Sequence, residues 1–187
     1  MNNPLRIALA DLSSCAERME PVQELIRKYV DSDLPVTIQG LQGSFLAGVT
    51  TLLARKRRGS ILIVTPTEHE ADLMAADLRL FTGEQVLELP WWGTLPYSRQ
   101  LPLPMACGQR ADTLVHLSTH ERCLVIAPLR ALLTPIPERS HLLANTTDFH
   151  TGQELDPINA AETLAQLGFF RVPRVSVQGE FSAKGEV

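Results

Sequence analysis

The chain has 187 residues, 44% of them hydrophobic and 20% charged, with a formal net charge of -4. That is room for one domain with a good core, or for one domain plus part of another, and the acidic balance excludes a chain built throughout as an electrostatic sleeve for nucleic acid. No apolar run reaches the about 18 residues of a membrane span. The start, MNNPLRIALADLSS, lacks the basic and long apolar parts of a signal peptide. Cys15, Cys107 and Cys123 are far apart with no C-x-x-C pair, so neither a disulfide framework nor zinc is indicated, and a reduced, cytoplasmic setting is expected.

Residues 12–30 read as a helix, opened by a capping box of Ser14 and Glu17 and carried by Val22, Leu25, Ile26, Tyr29 and Val30 at helical spacing. After a turn cluster at 31–35, residues 35–39 read as a first strand. A second helix covers about 45–57 and ends in Arg55-Lys56-Arg57-Arg58-Gly59, cations that complement the helix dipole before a stopping glycine. Ser60–Thr65 is nearly all apolar, as befits a strand covered on both faces. A helix from Thr67 to about Phe81 presents Leu73, Ala76, Asp77 and Leu80 on one face, and 85–89 (QVLEL) is a third strand. Residues 90–108 hold four prolines, both tryptophans and Tyr97, and are expected to be a long loop packed by its own side chains. A helix over 109–119, a strand over 122–127 and a short helix over 129–133 follow. Beyond Ser140 the pattern changes: a strand near 141–145, a helix from the Asp156-Pro157 cap to Leu167, then two strands, 169–177 and 180–187, joined as a hairpin at Gln178-Gly179. Residues 1–138 thus predict an α/β fold with a parallel sheet flanked by helices, and residues 139–187 a small α+β domain that looks truncated.

The most chemically suggestive stretch is Gly43-Ser-Phe-Leu-Ala-Gly48-Val49-Thr50. It has the spacing of a phosphate-binding loop, G-x-x-x-x-G-K-[ST], with valine in place of lysine. A working loop needs backbone N–H groups around the phosphates, a lysine for the β/γ charge and a hydroxyl for Mg²⁺. Gly43, Gly48 and Thr50 keep the frame, but Val49 removes the cation, and no later strand ends in an acidic pair. An inherited, inactive nucleotide-binding element is expected, with no catalytic residue and no metal. His116 and His120, four apart, read as surface histidines, and Cys107, Cys123 and Ser44 have no spaced His and acid to activate them.

The order of segments also carries a family resemblance. Gly40–Ala54 followed by ILIVTP, then Leu89-Pro-Trp-Trp-Gly-Thr-Leu-Pro-Tyr97 and the helix behind it, then Cys123–Leu133, Gly152–Leu155, Leu164–Arg171 and Gly179-Glu-Phe-Ser-Ala-Lys-Gly185, together resemble the N-terminal, UvrB-like module of the bacterial transcription-repair coupling factors. The resemblance implies a degenerate P-loop NTPase fold followed by part of a domain that binds UvrA, the damage-recognition ATPase of excision repair. It implies a non-catalytic module of an ATP-dependent DNA translocase, in which RNA polymerase and DNA are bound by other domains and ATP and Mg serve only the motor. It places UvrA contacts at Arg171, Arg174, Glu180, Phe181 and Lys184, the last in a position usually Arg. Lysine keeps the charge without the bidentate fork. A stand-alone P-loop-like nucleotide-binding ATPase domain is the alternative.

Overall fold

A computed structural model of the chain describes residues 12–31, 35–56, 58–95 and 97–183. A helical run at 12–17 turns at 18–19 into α1 (Glu20–Asp31). The predicted single helix is therefore broken, and Ser14 lies inside the first run rather than capping it. Next come α2 (Gly43–Lys56), β1 (Ile61–Thr65), α3 (Glu68–Phe81), β2 (Val86–Glu88), α4 (Pro104–Thr119), β3 (Leu124–Pro128), α5 (Leu129–Leu132), α6 (Arg139–Ala144), α7 (Pro157–Gln166), β4 (Phe170–Arg171) and β5 (Glu180–Phe181).

The α/β expectation holds in its coarse form. A three-stranded parallel sheet runs in the order β1-β3-β2, with Ile61 opposite Leu124 and Val86 also opposite Leu124. Crossover connections through α3 and α4 are what parallel strands require. β3 is central and buried along its whole length. β1 lies at the edge, and its side chains alternate: Leu62 and Val64 are exposed while Thr65 is buried. The expectation of a strand covered on both faces is corrected there. The strand predicted at 35–39 does not form; those residues pair with no strand among the described residues, and all but the half-buried Val36 are exposed.

The main core lies where α3 crosses the sheet: Ala71, Met74, Ala75 and Leu78 pack on Val86, Leu124 and Ile126, with Ala47 arriving from α2. This is the other face from the one read in the sequence, since Leu73 and Leu80 are exposed. Both sets have the same helical spacing. The alanine-bearing face wins because small side chains let α3 approach α2 and the sheet closely. Its start is a full capping box: Thr67 Oγ1 accepts from Glu70 N at 3.2 Å, and Thr67 N donates to Glu70 Oε2 at 3.1 Å. On the opposite side of the sheet Leu87, Leu89, Cys123, Val125 and Ala127 form a second cluster against Leu114 of α4. A third cluster joins α1 to α2 through Val22, Val49 and Leu52.

α4 begins at Pro104, a proline in the first helical turn, five residues earlier than predicted. The segment near 141–145 is helical, not a strand: α6 packs against α4, and Leu142 N donates to Glu138 O at 2.9 Å. α7 matches its prediction, with Asp156 capping through Ile158 N at 3.0 Å. The predicted hairpin is replaced by two short parallel strands, Phe170 opposite Glu180 and Arg171 opposite Phe181. The Glu180 carboxylate turns back to accept from Ser176 N (2.8 Å) and Val177 N (3.2 Å), closing a loop that brings β5 in alongside β4 with the same direction. From 139 to 183 the only buried side chain among the described residues is Phe181.

Candidate functional site

Three places bear on function: the degenerate phosphate loop, the tryptophan loop, and the surface around Arg171.

The first is not a loop. α2 starts at Gly43, so Gly43 to Thr50 form its opening two turns. A phosphate cradle needs free N–H groups curved around an anion, but beyond the first turn of a helix each N–H is taken by the carbonyl four residues back. Gly48 is buried, 3.5 Å from the Phe81 ring when measured from the place a Cβ would occupy. Val49 is 1% exposed and sits in the cluster with Val22 and Leu52. Thr50 is half-buried beside it. Gly43, Gly48 and Thr50 thus lie within a helix, and position 49, where a phosphate loop carries lysine, is a core position. A groove of about 320 Å³ does open beside Gly43 and the end of β1. Its walls include Leu46, Leu73, Met74, Glu70 and Asp77 and, among the described residues, no cation. Two carboxylates and an apolar lining oppose a polyphosphate.

The second place is held by two guanidinium–indole stacks. The Arg110 Cζ lies 4.5 Å from the Trp92 ring centroid, and Arg130 lies 4.3 Å from Trp91. Arg110 is 1% exposed, an unusual depth for an arginine with no carboxylate in contact among the described residues. Its Nη1 donates to Pro90 O at 2.6 Å and Ala131 O at 3.5 Å, its Nη2 to Thr134 Oγ1 at 3.1 Å, and its Nε has no partner among the described residues. Burial pulls its pKa below the usual arginine range. One turn on, Thr113 Oγ1 donates to Glu88 O at 2.5 Å. α4 thus buries Arg110 and Thr113, while Ala111 and Leu117 are exposed. The loop expected to be packed by its own side chains is instead held through its tryptophans by arginines of α4 and α5. Tyr97 takes no part: it is fully exposed with φ of 65°. Sequence reasoning missed Arg110 and Arg130, and no local signal marks them.

The third place is the pair β4–β5. Arg171 is exposed, and its Nη2 donates to Ala183 O at 3.2 Å. Arg174 is exposed as well, and neither arginine forms an ion pair among the described residues. Glu180 is occupied by backbone N–H groups, and Phe181 is buried, so two of the expected contact residues brace the unit rather than face outward. Lys184 lies outside the described residues. Phe170 is the exposed aromatic beside Arg171, and it was not singled out from sequence.

The remaining candidates are structural. The His116 and His120 rings stack at 5.1 Å, with His116 Nδ1 against Asp112 O at 3.0 Å. No group of His, Cys, Asp and Glu suited to a metal occurs among the described residues. Cys123 is buried with its Sγ 3.7 Å from His116 O, and burial pushes its thiol pKa up, the opposite of an activated nucleophile. Of the basic run, Lys56 pairs with Glu17 at 2.9 Å and Arg55 donates to Phe81 O. No helix among the described residues is long and apolar enough to cross a membrane.

No family model matches the chain. Curated relatives do. The chain is 32% identical over 141 residues to the transcription-repair-coupling factor of Mycobacterium tuberculosis (strain CDC 1551 / Oshkosh), covering 72% of this chain and 11% of the relative. It is 31% identical over 160 residues to that of Myxococcus xanthus (81% and 13%) and 24% identical over 163 residues to that of Borreliella burgdorferi (87% and 14%). The chain therefore spans only a small part of the length of these relatives.

Proposed function

From its similarity to transcription-repair-coupling factors over most of its length, we propose that this chain is a non-catalytic, UvrB-like module of a transcription-coupled excision repair factor, and that it recruits UvrA to sites of stalled RNA polymerase. The parent would be an ATP-dependent DNA translocase whose polymerase, DNA and nucleotide contacts lie in other domains. The observation that carries the docking role is the pair of exposed guanidiniums, Arg171 and Arg174, with no carboxylate partner among the described residues. Arginine left unpaired at a surface is suited to bidentate recognition of a partner's carboxylates. The alternative, a nucleotide-binding ATPase domain, finds no support in a segment that is helical from Gly43 onward.

The test is binding of purified UvrA to the chain by surface plasmon resonance across a salt series. Binding should weaken as salt rises, because rim charges are screened. Arg171→Ala and Lys184→Ala should each weaken it, with a shallower salt dependence. If both variants bind UvrA as the parent does, the docking surface is elsewhere.

A further inference from the structure

The connection between β4 and β5 carries Arg174. It leaves β4 and returns so that β5 runs in the same direction, which a tight hairpin turn cannot achieve. At its base Phe170 N donates to Gly179 O at 2.8 Å and Val172 N to Phe181 O at 2.9 Å. Gly179, with φ of 89°, turns the chain back. The side chain of Glu180 then reaches over the segment just passed, and its Oε2 accepts from Ser176 N at 2.8 Å and Val177 N at 3.2 Å. From the other side Ser182 Oγ donates to Pro173 O at 3.1 Å.

These two ties bracket Arg174. Pro173, directly before it, is held by Ser182 and has its own φ locked by the ring. Ser176, two residues after it, is held by a charged acceptor, the stronger kind of hydrogen bond. The backbone that carries the guanidinium is therefore set before any partner arrives. Ordering a side chain on binding costs about 0.5–1.5 kcal/mol, and a loop fixed in advance avoids its share of that cost. The negative charge of Glu180 works the other way, since a surface meant for carboxylates gains nothing from a carboxylate of its own. Its hydrogen bonding, not its charge, is what serves docking.

Resting on the docking role proposed above, we infer that Glu180 is a positioning residue for that surface. Its carboxylate latches Ser176 and Val177, and so presents Arg174 in a preformed loop, without touching the partner itself.

The test compares Glu180→Ala with Glu180→Gln in the full chain. The two variants carry the same charge and differ in whether an acceptor oxygen remains. Surface plasmon resonance with purified UvrA should show Glu180→Ala binding about tenfold more weakly than Glu180→Gln. Glu180→Gln should bind at least as tightly as the parent. The salt dependence of the two should coincide, because neither loses a cation. Arg174→Ala should cost less in the Glu180→Ala background than in the parent, since the two residues act through one loop. Amide exchange followed by NMR should speed up at Ser176 and Val177 in Glu180→Ala alone, with Phe170 and Val172 unchanged.

Equal binding by the two Glu180 variants overturns the inference. So does a Glu180→Gln chain as weak as Glu180→Ala, which would make the charge itself a contact. Additive effects of Glu180→Ala and Arg174→Ala, or faster exchange at Phe170 and Val172 as well, also overturn it. Parental binding by both Arg171→Ala and Arg174→Ala has a different meaning: the docking surface is then elsewhere, and the positioning role falls with that reading.

Discussion

Replacing Arg110 by alanine removes a side chain that ties the tryptophan loop, α4 and the segment after β3 together. Its bonds to Pro90 O (2.6 Å) and Thr134 Oγ1 (3.1 Å) have a charged donor, and such bonds contribute about 1.5–3 kcal/mol each. The stack on Trp92 adds about 1 kcal/mol. Against this stands the cost of keeping a guanidinium out of water with no carboxylate near it, which is several kcal/mol, and the Nε left without an acceptor. Truncation also strands the Pro90 carbonyl and leaves a void. The balance is a loss of about 2–4 kcal/mol. With a urea dependence of about 2 kcal/mol per molar, the unfolding midpoint falls by about 1–2 M. Trp91 and Trp92 are the only tryptophans, so intrinsic fluorescence reads both the midpoint and the release of Trp92. Lysine should not rescue the variant, since one ammonium cannot span Pro90 and Thr134 while stacking on the indole. An Arg110→Ala chain with an unaltered midpoint would show that desolvation cancels every contact Arg110 makes, and the reasoning would fail.

Isothermal calorimetry with ATP or ADP and Mg²⁺ should show no binding, because the segment from Gly43 is helical and Val49 is core; micromolar affinity abolished by Thr50→Ala would reverse that reading. Thr67→Ala breaks the capping box of α3 and should cost about 1 kcal/mol in a thermal or urea melt, with Glu70→Ala losing part of the same amount. The three thiols should alkylate in the order Cys15, Cys107, Cys123, following their exposure. Cys123 is held protonated by burial. Its contribution to stability is full below the ordinary thiol pKa of about 8.5 and is lost as pH rises through that value toward its higher folded one. Urea midpoints of the parent and Cys123→Ala should therefore converge at alkaline pH.

Elements with local signals were legible in the sequence. β1 and β3 are continuous apolar runs, α3 and α7 have side-chain caps at Thr67 and Asp156, and glycines at 168 and 179 take positive φ where the chain turns. Signals that two segments share were not legible. Residues 141–145 hold two leucines that suit a strand or a helix, and packing on α4 chose the helix. Gln178-Gly179 reads as a hairpin turn, yet the Glu180 carboxylate closes the loop so that the strands run parallel. At the proposed docking surface the sequence marked Arg171 and Arg174, which are exposed. It could not show that Phe181 is buried and Phe170 is not, because which face of a two-residue strand is wet depends on what packs beneath it.

By itself the sequence determined the parallel α/β alternation, the positions of most helix starts, and the absence of a lysine at position 49, since these depend on periodicity, caps and single residues. Only the tertiary structure decided that β3 is central and β1 at the edge of the sheet formed by the described residues, because both are equally apolar and edge or centre is set by neighbours far away in the chain. Only it decided that α3 buries its alanine face and that α4 buries Arg110. The partners of that guanidinium lie about twenty residues to either side, at Pro90 and Ala131, and nothing local distinguishes it from an arginine in solvent. The same holds for Val49. In the sequence it is one wrong letter in a phosphate loop, and in the fold it is a core residue of the helix that occupies the place where the loop would be.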